Sequence, residues 1–242
     1  MPVKINSKFQ FKILNFKFLI PILIFEFYIL NFNCYAAPCY GTKMPERKEI
    51  FIGGQSHIIF KRYLEGDNGK IKSFQDFFLL SYGAFDWLSI DLKGGAGNIK
   101  QRPVNRANLG YPYYLGGGYG FRLRLYDDKN IKAVCGFQHI SIHPETIQAD
   151  TGKNKAVLDD WQFSALASYA FKKITPYLGT KVSRSDYIHW VNGERNRVKS
   201  DTDKSIGMVV GMDFDLAKNM WLNLEGQFFD GEAMSASLNY SF

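Results

Sequence analysis

The stretch Ser205-Ile-Gly-Met-Val-Val-Gly-Met-Asp-Phe-Asp-Leu216 alternates between two kinds of residue along its whole length. Every even-numbered position is apolar, whereas serine, glycine, valine and aspartate occupy the odd-numbered positions. Successive side chains of a strand point to opposite faces, so this period of two predicts a β-strand whose faces meet different surroundings. The run is longer than the ~5 to 6 residues of a typical soluble strand, and it exceeds the ~9 to 11 residues that a tilted strand needs to cross a bilayer.

The same alternation recurs along most of the chain. It is clear in Tyr113–Tyr126, Trp161–Lys172 and Trp221–Phe229, where an apolar face opposes one of small, polar and charged residues. We predict strands at residues 49–64, 72–84, 87–97, 112–126, 131–144, 157–172, 175–190, 203–215, 220–229 and 234–242. An apolar face turned to lipid and a polar face turned inward are expected of a transmembrane β-barrel.

The predicted connections support the same architecture, because short turns alternate with longer polar loops at 65–71, 98–111, 145–156 and 191–202. Short periplasmic turns and long extracellular loops are typical of outer-membrane barrels. The predicted fold class is therefore all-β, a closed antiparallel transmembrane up-and-down barrel of about ten strands. Eight or twelve strands, and a soluble lipocalin-like barrel with its apolar face inside, are the alternatives.

The N-terminus has the pattern of an export signal. A basic region is followed by the apolar run Phe18–Leu30 and by small residues at Cys34 and Ala36, which predicts cleavage after Ala36. An uncleaved membrane anchor is the alternative. The predicted organisation is a signal peptide at 1–36, a short periplasmic segment at 37–48 and an outer-membrane barrel at 49–242.

Composition excludes several classes of protein. A mean hydropathy of −0.20 excludes a bundle of transmembrane helices. Removing residues 1–36 takes away four of the 30 Lys+Arg and one of the 23 Asp+Glu, so the net charge falls from +7 to about +4. A basic charge that resides partly in an export signal gives little support for nucleic-acid binding, and we expect no nucleic-acid partner.

The last strand carries a family resemblance. In Met234-Ser-Ala-Ser-Leu-Asn-Tyr-Ser-Phe242 the apolar residues share one face, and the chain ends on Phe242 with Tyr240 two residues before it. This segment resembles the closing strand of bacterial outer-membrane β-barrel proteins, and Tyr82–Ile90 looks like a turn common in outer-membrane channels. The resemblance implies that Tyr240 and Phe242 form an assembly signal, with the barrel-assembly machinery as a partner.

One cluster resembles a catalytic site. In Phe137-Gln-His139-Ile-Ser141-Ile-His143 the two histidines and the serine share one face near the outer end of a strand. The spacing is similar to the His-x-Ser of lipid A 3-O-deacylases, although Gln138 and Ile142 depart from that family's pattern. The resemblance implies base-activated attack by a hydroxyl on an ester. The acidic partner is Glu145 or one of the other candidates, Asp150, Asp159 and Asp160. Polar residues at a strand rim, or residues turned inward by a bulge, are the alternative reading.

Five charged residues occupy the predicted inner face and are candidates for pore-lining positions: Arg122, Arg124, Lys181, Asp213 and Glu225. The arginines could form an anion-selective constriction, or they could pair with interior acids such as Asp91. No cysteine spacing suits zinc, so we expect neither a metal site nor a cofactor. Whether Cys39 and Cys135 pair is open at this stage.

The sequence thus predicts a protein of the bacterial outer membrane, with membrane lipid and lipopolysaccharide as neighbours. The favoured function is non-enzymatic: a structural, surface-interaction or narrow-pore role. The two alternatives are a lipid A deacylase-like hydrolase that uses His139 and Ser141, and a channel for small solutes.

Overall fold

The computed structural model describes residues 37–149, 152–200 and 204–242. The predicted export signal, 1–36, lies outside the described residues. Within these ranges the helical structure is limited to a short 3-10 turn at Gly66–Asn68 and to Lys204, which is also in 3-10 conformation. No helix among the described residues is long and apolar enough to span a membrane.

The described residues form twelve strands: β1 (Ile50–Tyr63), β2 (Lys70–Phe85), β3 (Leu88–Arg102), β4 (Leu109–Asp127), β5 (Ile131–Ile142), β6 (Ile147–Ala149), β7 (Gly152–Tyr169), β8 (Ile174–Val191), β9 (Glu194–Lys199), β10 (Ile206–Ala217), β11 (Met220–Phe228) and β12 (Glu232–Ser241). Ten of them pair with their neighbours in an antiparallel barrel, which closes where β12 returns to β1. The short strands β6 and β9 only extend the sheet beside β7 and β8. The predicted all-β barrel with ten spanning strands is confirmed.

The two ends of the barrel differ. At one end, which we name the turn end, β1 begins, β12 ends and tight turns follow β2, β4, β7 and β10. At the opposite loop end, several predicted loops are largely strand, which corrects their bounds. Strand β3 continues to Arg102, and β9 occupies half of the predicted loop at 191–202. The cause is packing, because Ile99 and Val198 in these segments are buried and favour continued pairing.

The outer face of the barrel is apolar. The even-numbered residues of β10 point outward as predicted, and large side chains elsewhere on the wall are open, with Phe78 58% and Leu178 65% exposed. Inward-facing Asp213 and Glu225 are 1% and 2% exposed. Buried charges beneath an apolar wall are the reverse of a water-soluble protein and suit a wall surrounded by lipid.

The interior consists of two parts. The turn-end half is polar, as predicted, and contains the buried groups Asp91, Arg122, Asp213 and Glu225. The loop-end half is instead an apolar core, and seven of its large side chains are at most 1% exposed: Ile71, Ile99, Tyr111, Ile140, Ile142, Leu158 and Tyr187. The sequence predicted a polar inner face, and the apolar core of this half departs from that prediction. A wall that extends beyond the membrane faces water and gains stability from a dry core, as in soluble domains.

Candidate functional site

Strand β5 presents His139 and Ser141 on the outside of the barrel. Its inward residues Gln138, Ile140 and Ile142 are buried, so the residues between them point away from the lumen. His143 directly follows the strand and is exposed. The regular pairing of β5 with β7 from Ile131 to Ile142 leaves no bulge that would turn the cluster inward.

The structure joins the Ser141 hydroxyl to a histidine and an aspartate. The Oγ atom of Ser141 lies 2.8 Å from Nε2 of His143 and donates to Oδ1 of Asp159 at 2.5 Å. Asp159 is brought there by β7, because it is the direct cross-strand neighbour of Ser141. An outward serine, imidazole and carboxylate have the composition of a nucleophile with a base and an acid, but here the carboxylate contacts the serine and not the imidazole.

His139 occupies an aromatic niche beside this group. Its ring lies 3.9 Å from that of Trp161 and 5.1 Å from that of Tyr119, centroid to centroid. Its Nε2 atom is 3.9 Å from Oδ1 of Asp159, an ion-pair distance rather than a hydrogen bond. The histidine that the sequence analysis favoured therefore stands next to the acid, whereas His143 contacts the serine.

The other candidate acids lie elsewhere. Glu145 is exposed after β5, and no hydrogen bond or ion pair between described residues joins its carboxylate to His139 or Ser141. Asp160 is buried on the inward face of β7, and Asp150 lies outside the described residues. Of the four acids that the sequence left open, Asp159 is therefore the one that contacts Ser141.

The cluster lies where the outer face of the wall changes from apolar to polar. On β5 the outward residues are apolar up to Phe137 and polar from His139 onward, while the inward residues change from Gln138 to Ile140 and Ile142. His139 and Ser141 lie eight and ten residues beyond Ile131. A strand tilted by ~40° rises about 2.5 Å per residue, which puts them roughly 20 to 25 Å above the turn end, near the top of a ~25 Å apolar band.

The predicted pore-lining residues point inward and are held by partners. Arg122 forms a two-point ion pair with Asp91, at 2.8 and 2.9 Å, and Lys181 lies 2.8 Å from Asp230. Asp213 accepts from Asn223, and Glu225 accepts from the Tyr177 hydroxyl. Arg124 lies at the turn end, half-buried, 3.3 Å from Asp127. The sequence left two hypotheses for the arginines, an anion-selective constriction and ion pairs with acidic residues, and the structure supports the ion pairs.

Some buried charges of the lumen escaped the sequence analysis. Arg62 pairs with Asp230 at 2.9 Å, and the ammonium of Lys93 donates to Gln55 and lies over the ring of Tyr40. The alternation of apolar and polar residues along their strands could have shown that these side chains point inward.

The segment before β1 occupies the polar half of the lumen. The Cys39 N–H donates to the Glu225 carboxylate at 2.9 Å, and the Thr42 hydroxyl donates to Ser168 at 2.7 Å. Arg122 donates to the carbonyl of Lys43 at 2.6 Å. Residues that the sequence analysis expected to stand in the periplasm are thus buried in the barrel from Ala37 to Met44, apart from half-buried Lys43.

Three further predictions can be placed in the structure. Cys39 lies in the lumen and Cys135 faces outward, so the wall separates the two free thiols. Tyr240 and Phe242 both project outward and are exposed, with ring centroids 4.9 Å apart. Across residues 37–149, 152–200 and 204–242, no group of three His, Cys, Asp or Glu side chains could hold a metal ion.

No protein-family model matches the chain, and no curated protein sequence matches it. Among solved structures, an outer-membrane channel from Pseudomonas putida F1 is similar at 10% identity and a TM-score of 0.45, over 86% of this chain and 100% of that one. The outer-membrane protease OmpT from Escherichia coli is similar at 13% identity and a TM-score of 0.40, over 82% and 97%. Ail, the attachment invasion locus protein of Yersinia pestis, is similar at 11% identity and a TM-score of 0.40, over 82% and 100%. The described residues form a closed barrel, and the three solved structures to which it is similar are of bacterial outer-membrane proteins.

Proposed function

We propose that this protein lies in the outer membrane and hydrolyses an ester of an outer-leaflet lipid, with Ser141 as the nucleophile. The observation that carries the proposal is the contact of the Ser141 hydroxyl with His143 and Asp159 on the outside of the wall. An enzyme acting on a dissolved substrate would need a cleft, whereas a lipid ester can reach this group sideways from the bilayer.

The position of the cluster fits such a substrate. The acyl ester bonds of a membrane lipid lie between the hydrocarbon layer and the headgroups, which is the depth estimated for Ser141. Below the cluster, Phe137 and Phe163 form an apolar surface with ring centroids 4.8 Å apart, against which acyl chains can lie. At the level of the cluster and above it the wall is polar, with Asp159 beside Ser141 and with the Asp186 carboxylate, 1% exposed, held by Arg184.

The residues support a two-step acyl transfer. The Ser141 hydroxyl, which donates to Asp159 in the structure, turns toward His143 at 2.8 Å; its Oγ atom then attacks the carbonyl carbon of the ester while its proton passes to Nε2 of His143. Collapse of the tetrahedral intermediate breaks the bond to the alcohol oxygen, which takes the proton back from His143. A water molecule, deprotonated by the same imidazole, then releases the fatty acid from Ser141. Asp159 contacts Oγ and not the imidazole, so its part is to orient the serine and to add a negative charge on the side of the site away from His143.

Mass spectrometry of outer-membrane lipids tests the function in cells. Cells producing the wild-type protein should contain a lipid species that has lost one ester-linked acyl chain, and cells producing Ser141→Ala should lack it. The matched control is Ser56→Ala, since Ser56 is also an outward serine bonded to an aspartate, Asp76, at 2.5 Å. This control should keep the wild-type lipid pattern. Identical lipids with the wild-type protein and Ser141→Ala would contradict the hydrolase and return the structural or surface-interaction role to first place.

A further inference from the structure

Four cations form a square on the outer wall at the loop end. Lys70 and Lys72 of β2 stand directly opposite Arg102 and Lys100 of β3 in the antiparallel register. The residue between the two cations of each strand is buried, so the four charged side chains point outward. Cβ atoms of direct cross-strand partners are about 5 Å apart, and alternate residues of one strand are about 7 Å apart. The four side chains, which we name the basic square, therefore share one small area of the wall.

The basic square is unfavourable for the protein on its own. Like charges directly opposite each other in a sheet repel and destabilise the pair. Among the described residues, none of the four cations forms an ion pair with a carboxylate. Lysines elsewhere on the wall do have such partners, as in the pairs Lys61–Glu232 and Lys132–Asp127. An anion that binds the folded protein at the square removes this repulsion and stabilises the fold.

The height of the basic square puts it above the hydrocarbon layer. Strand β2 reaches the turn end at Phe85, thirteen residues after Lys72, and Lys100 lies twelve residues beyond Leu88, where β3 begins. At about 2.5 Å of rise per residue of a tilted strand, the square begins roughly 30 Å above the turn end, whereas the apolar band is ~25 Å tall. Phe74, the outward neighbour of Lys72 on the side of the turn end, is apolar and exposed. The square is therefore level with lipid headgroups.

An open recess adjoins the basic square at its upper edge. It has a volume of about 620 Å³, and its lining includes Lys70 and Arg102 together with Tyr63, Glu65 and Val104. Tyr63 is the cross-strand neighbour of Lys70, so the recess is continuous with the square. Sites for small ligands have volumes of ~300 to 1,000 Å³, which gives this recess room for a sugar of a headgroup. Since Glu65 repels anions, the favourable place for an anionic group is the edge of the square nearer the membrane.

Charge balance indicates the kind of anion. A phosphate monoester carries about −1.5 to −2 charges near neutral pH, so two of them balance four cations. Clusters of Lys and Arg at a membrane surface bind phosphorylated lipid headgroups. We infer that the basic square binds the phosphate groups of an outer-leaflet glycolipid of the lipopolysaccharide type, with the sugar portion beside the recess. This inference rests on the register of β2 and β3 and does not depend on the hydrolase at Ser141.

Native mass spectrometry of the protein purified from outer membranes in a non-ionic detergent tests the site. The probes are a lipopolysaccharide with a short sugar core and the same lipid after chemical removal of its phosphates. The wild-type protein should bind the phosphorylated lipid at least tenfold more tightly than the dephosphorylated one. Lys72→Gln combined with Lys100→Gln should weaken binding of the phosphorylated lipid about 30-fold, the effect of two cations at an anionic surface. This variant loses a repulsive pair, so it should keep the heat-dependent gel mobility of a closed barrel.

The matched control is Lys153→Gln combined with Lys155→Gln, which removes the same charge from two exposed lysines of β7 at the loop end. It should bind the phosphorylated lipid within twofold of the wild-type protein. An equal loss in both double variants, or no loss in the Lys72 and Lys100 variant, would overturn the site. Equal binding of the two lipids by the wild-type protein would overturn the recognition of phosphate. Displacement of the lipid by inorganic pyrophosphate at the same concentration would overturn the lipid as ligand in favour of a soluble anion.

Discussion

At the scale of single residues, Ser141 differs from the other outward serine–aspartate pair in one respect. Both Ser141 and Ser56 donate to a cross-strand carboxylate, but only Ser141 also contacts an imidazole among the described hydrogen bonds. A serine bonded to an aspartate is a common cross-strand pair, whereas the added base supplies the proton acceptor that a nucleophile needs. The assignment of function therefore depends on His143.

The two histidines should have unequal effects on hydrolysis. His143→Asn removes the group in contact with Oγ and should lower kcat about 10² to 10⁴-fold, the range for loss of a general base. His139→Asn removes a ring packed between Tyr119 and Trp161, and its effect on kcat should be smaller. Steady-state rates on a lipid ester in mixed micelles measure both. A larger loss with His139→Asn would contradict the role given to His143 and favour the base that the deacylase resemblance implies.

The Arg122–Asp91 pair should be critical for stability. Arg122→Met leaves Asp91 buried without its cation, which typically costs about 3 to 5 kcal/mol. The control is Lys132→Met, since Lys132 and Asp127 form a partly exposed pair worth about 0 to 1 kcal/mol. Urea unfolding in lipid vesicles measures both. The double variant Arg122→Met with Asp91→Leu should recover most of the loss, and a double variant as unstable as the single one would contradict this assignment.

At the scale of elements, a strand of this barrel has two alternation patterns joined end to end. Along β5 the apolar face points outward near the turn end and inward near the loop end. Period-two patterning predicts a strand in both parts, so the strands could be predicted from the sequence, and their number could be predicted as about ten, with eight and twelve left open. Which face is buried could not be derived for the segments at 49–64, 72–84 and 131–144, because lipid surrounds one part of the wall and water the other.

For the candidate catalytic residues, too, the sequence predicted the face of each strand but not the whole site. His139 and Ser141 could be predicted as outward-facing because they continue the face of Ala133, Cys135 and Phe137. The predicted outward face of Trp161 and Phe163 also includes Asp159 two residues earlier, so the pattern contained a signal for the acid. Alternation alone does not give the register between two strands, and the register is what brings Asp159 rather than Glu145 to Ser141.

The entry of the N-terminal segment should depend on the absence of a side chain at residue 83. A Cβ atom at Gly83 would lie 1.7 Å from the carbonyl oxygen of Glu46, so Gly83→Ala requires backbone movement where the segment meets β2. We expect a loss of about 1 to 3 kcal/mol, as for an overpacked interior. Gly94→Ala is the control, because a Cβ there meets nothing within 4 Å. Equal unfolding midpoints in urea for the two variants would contradict the described path of the segment.

At the scale of the whole molecule, the barrel is a filled cylinder with its chemistry on the outside. The apolar core and residues 37–44 occupy successive parts of the lumen, and the cavity beside Tyr40 and Arg122 holds only about 20 Å³. Amino-acid composition could not predict that the lumen is filled, because Phe and Tyr occur both on the outer wall and in the inner core. A filled lumen favours functions that take place on the outer wall or at the loop end over transport through the barrel.

A filled lumen should conduct poorly. Planar bilayers containing the purified barrel should show no discrete conductance steps, since ions would have to pass residues such as Ile140 and Tyr187 in a dry core. A truncated chain that begins at residue 49 lacks the segment but keeps this core, so it should also be silent. Regular steps from the protein beginning at Ala37 would contradict a closed lumen and favour the solute channel.

The central claim is that Ser141 is an activated nucleophile facing the lipid, and covalent labelling tests it most directly. The folded barrel in micelles is treated with a long-chain alkyl fluorophosphonate, and the modified peptide is located by mass spectrometry. We predict an adduct on Ser141 that persists in Ser56→Ala and disappears in urea and in His143→Asn, because activation requires the assembled base. No adduct on Ser141, or equal labelling of Ser56 and Ser141 in the folded protein, would contradict the claim.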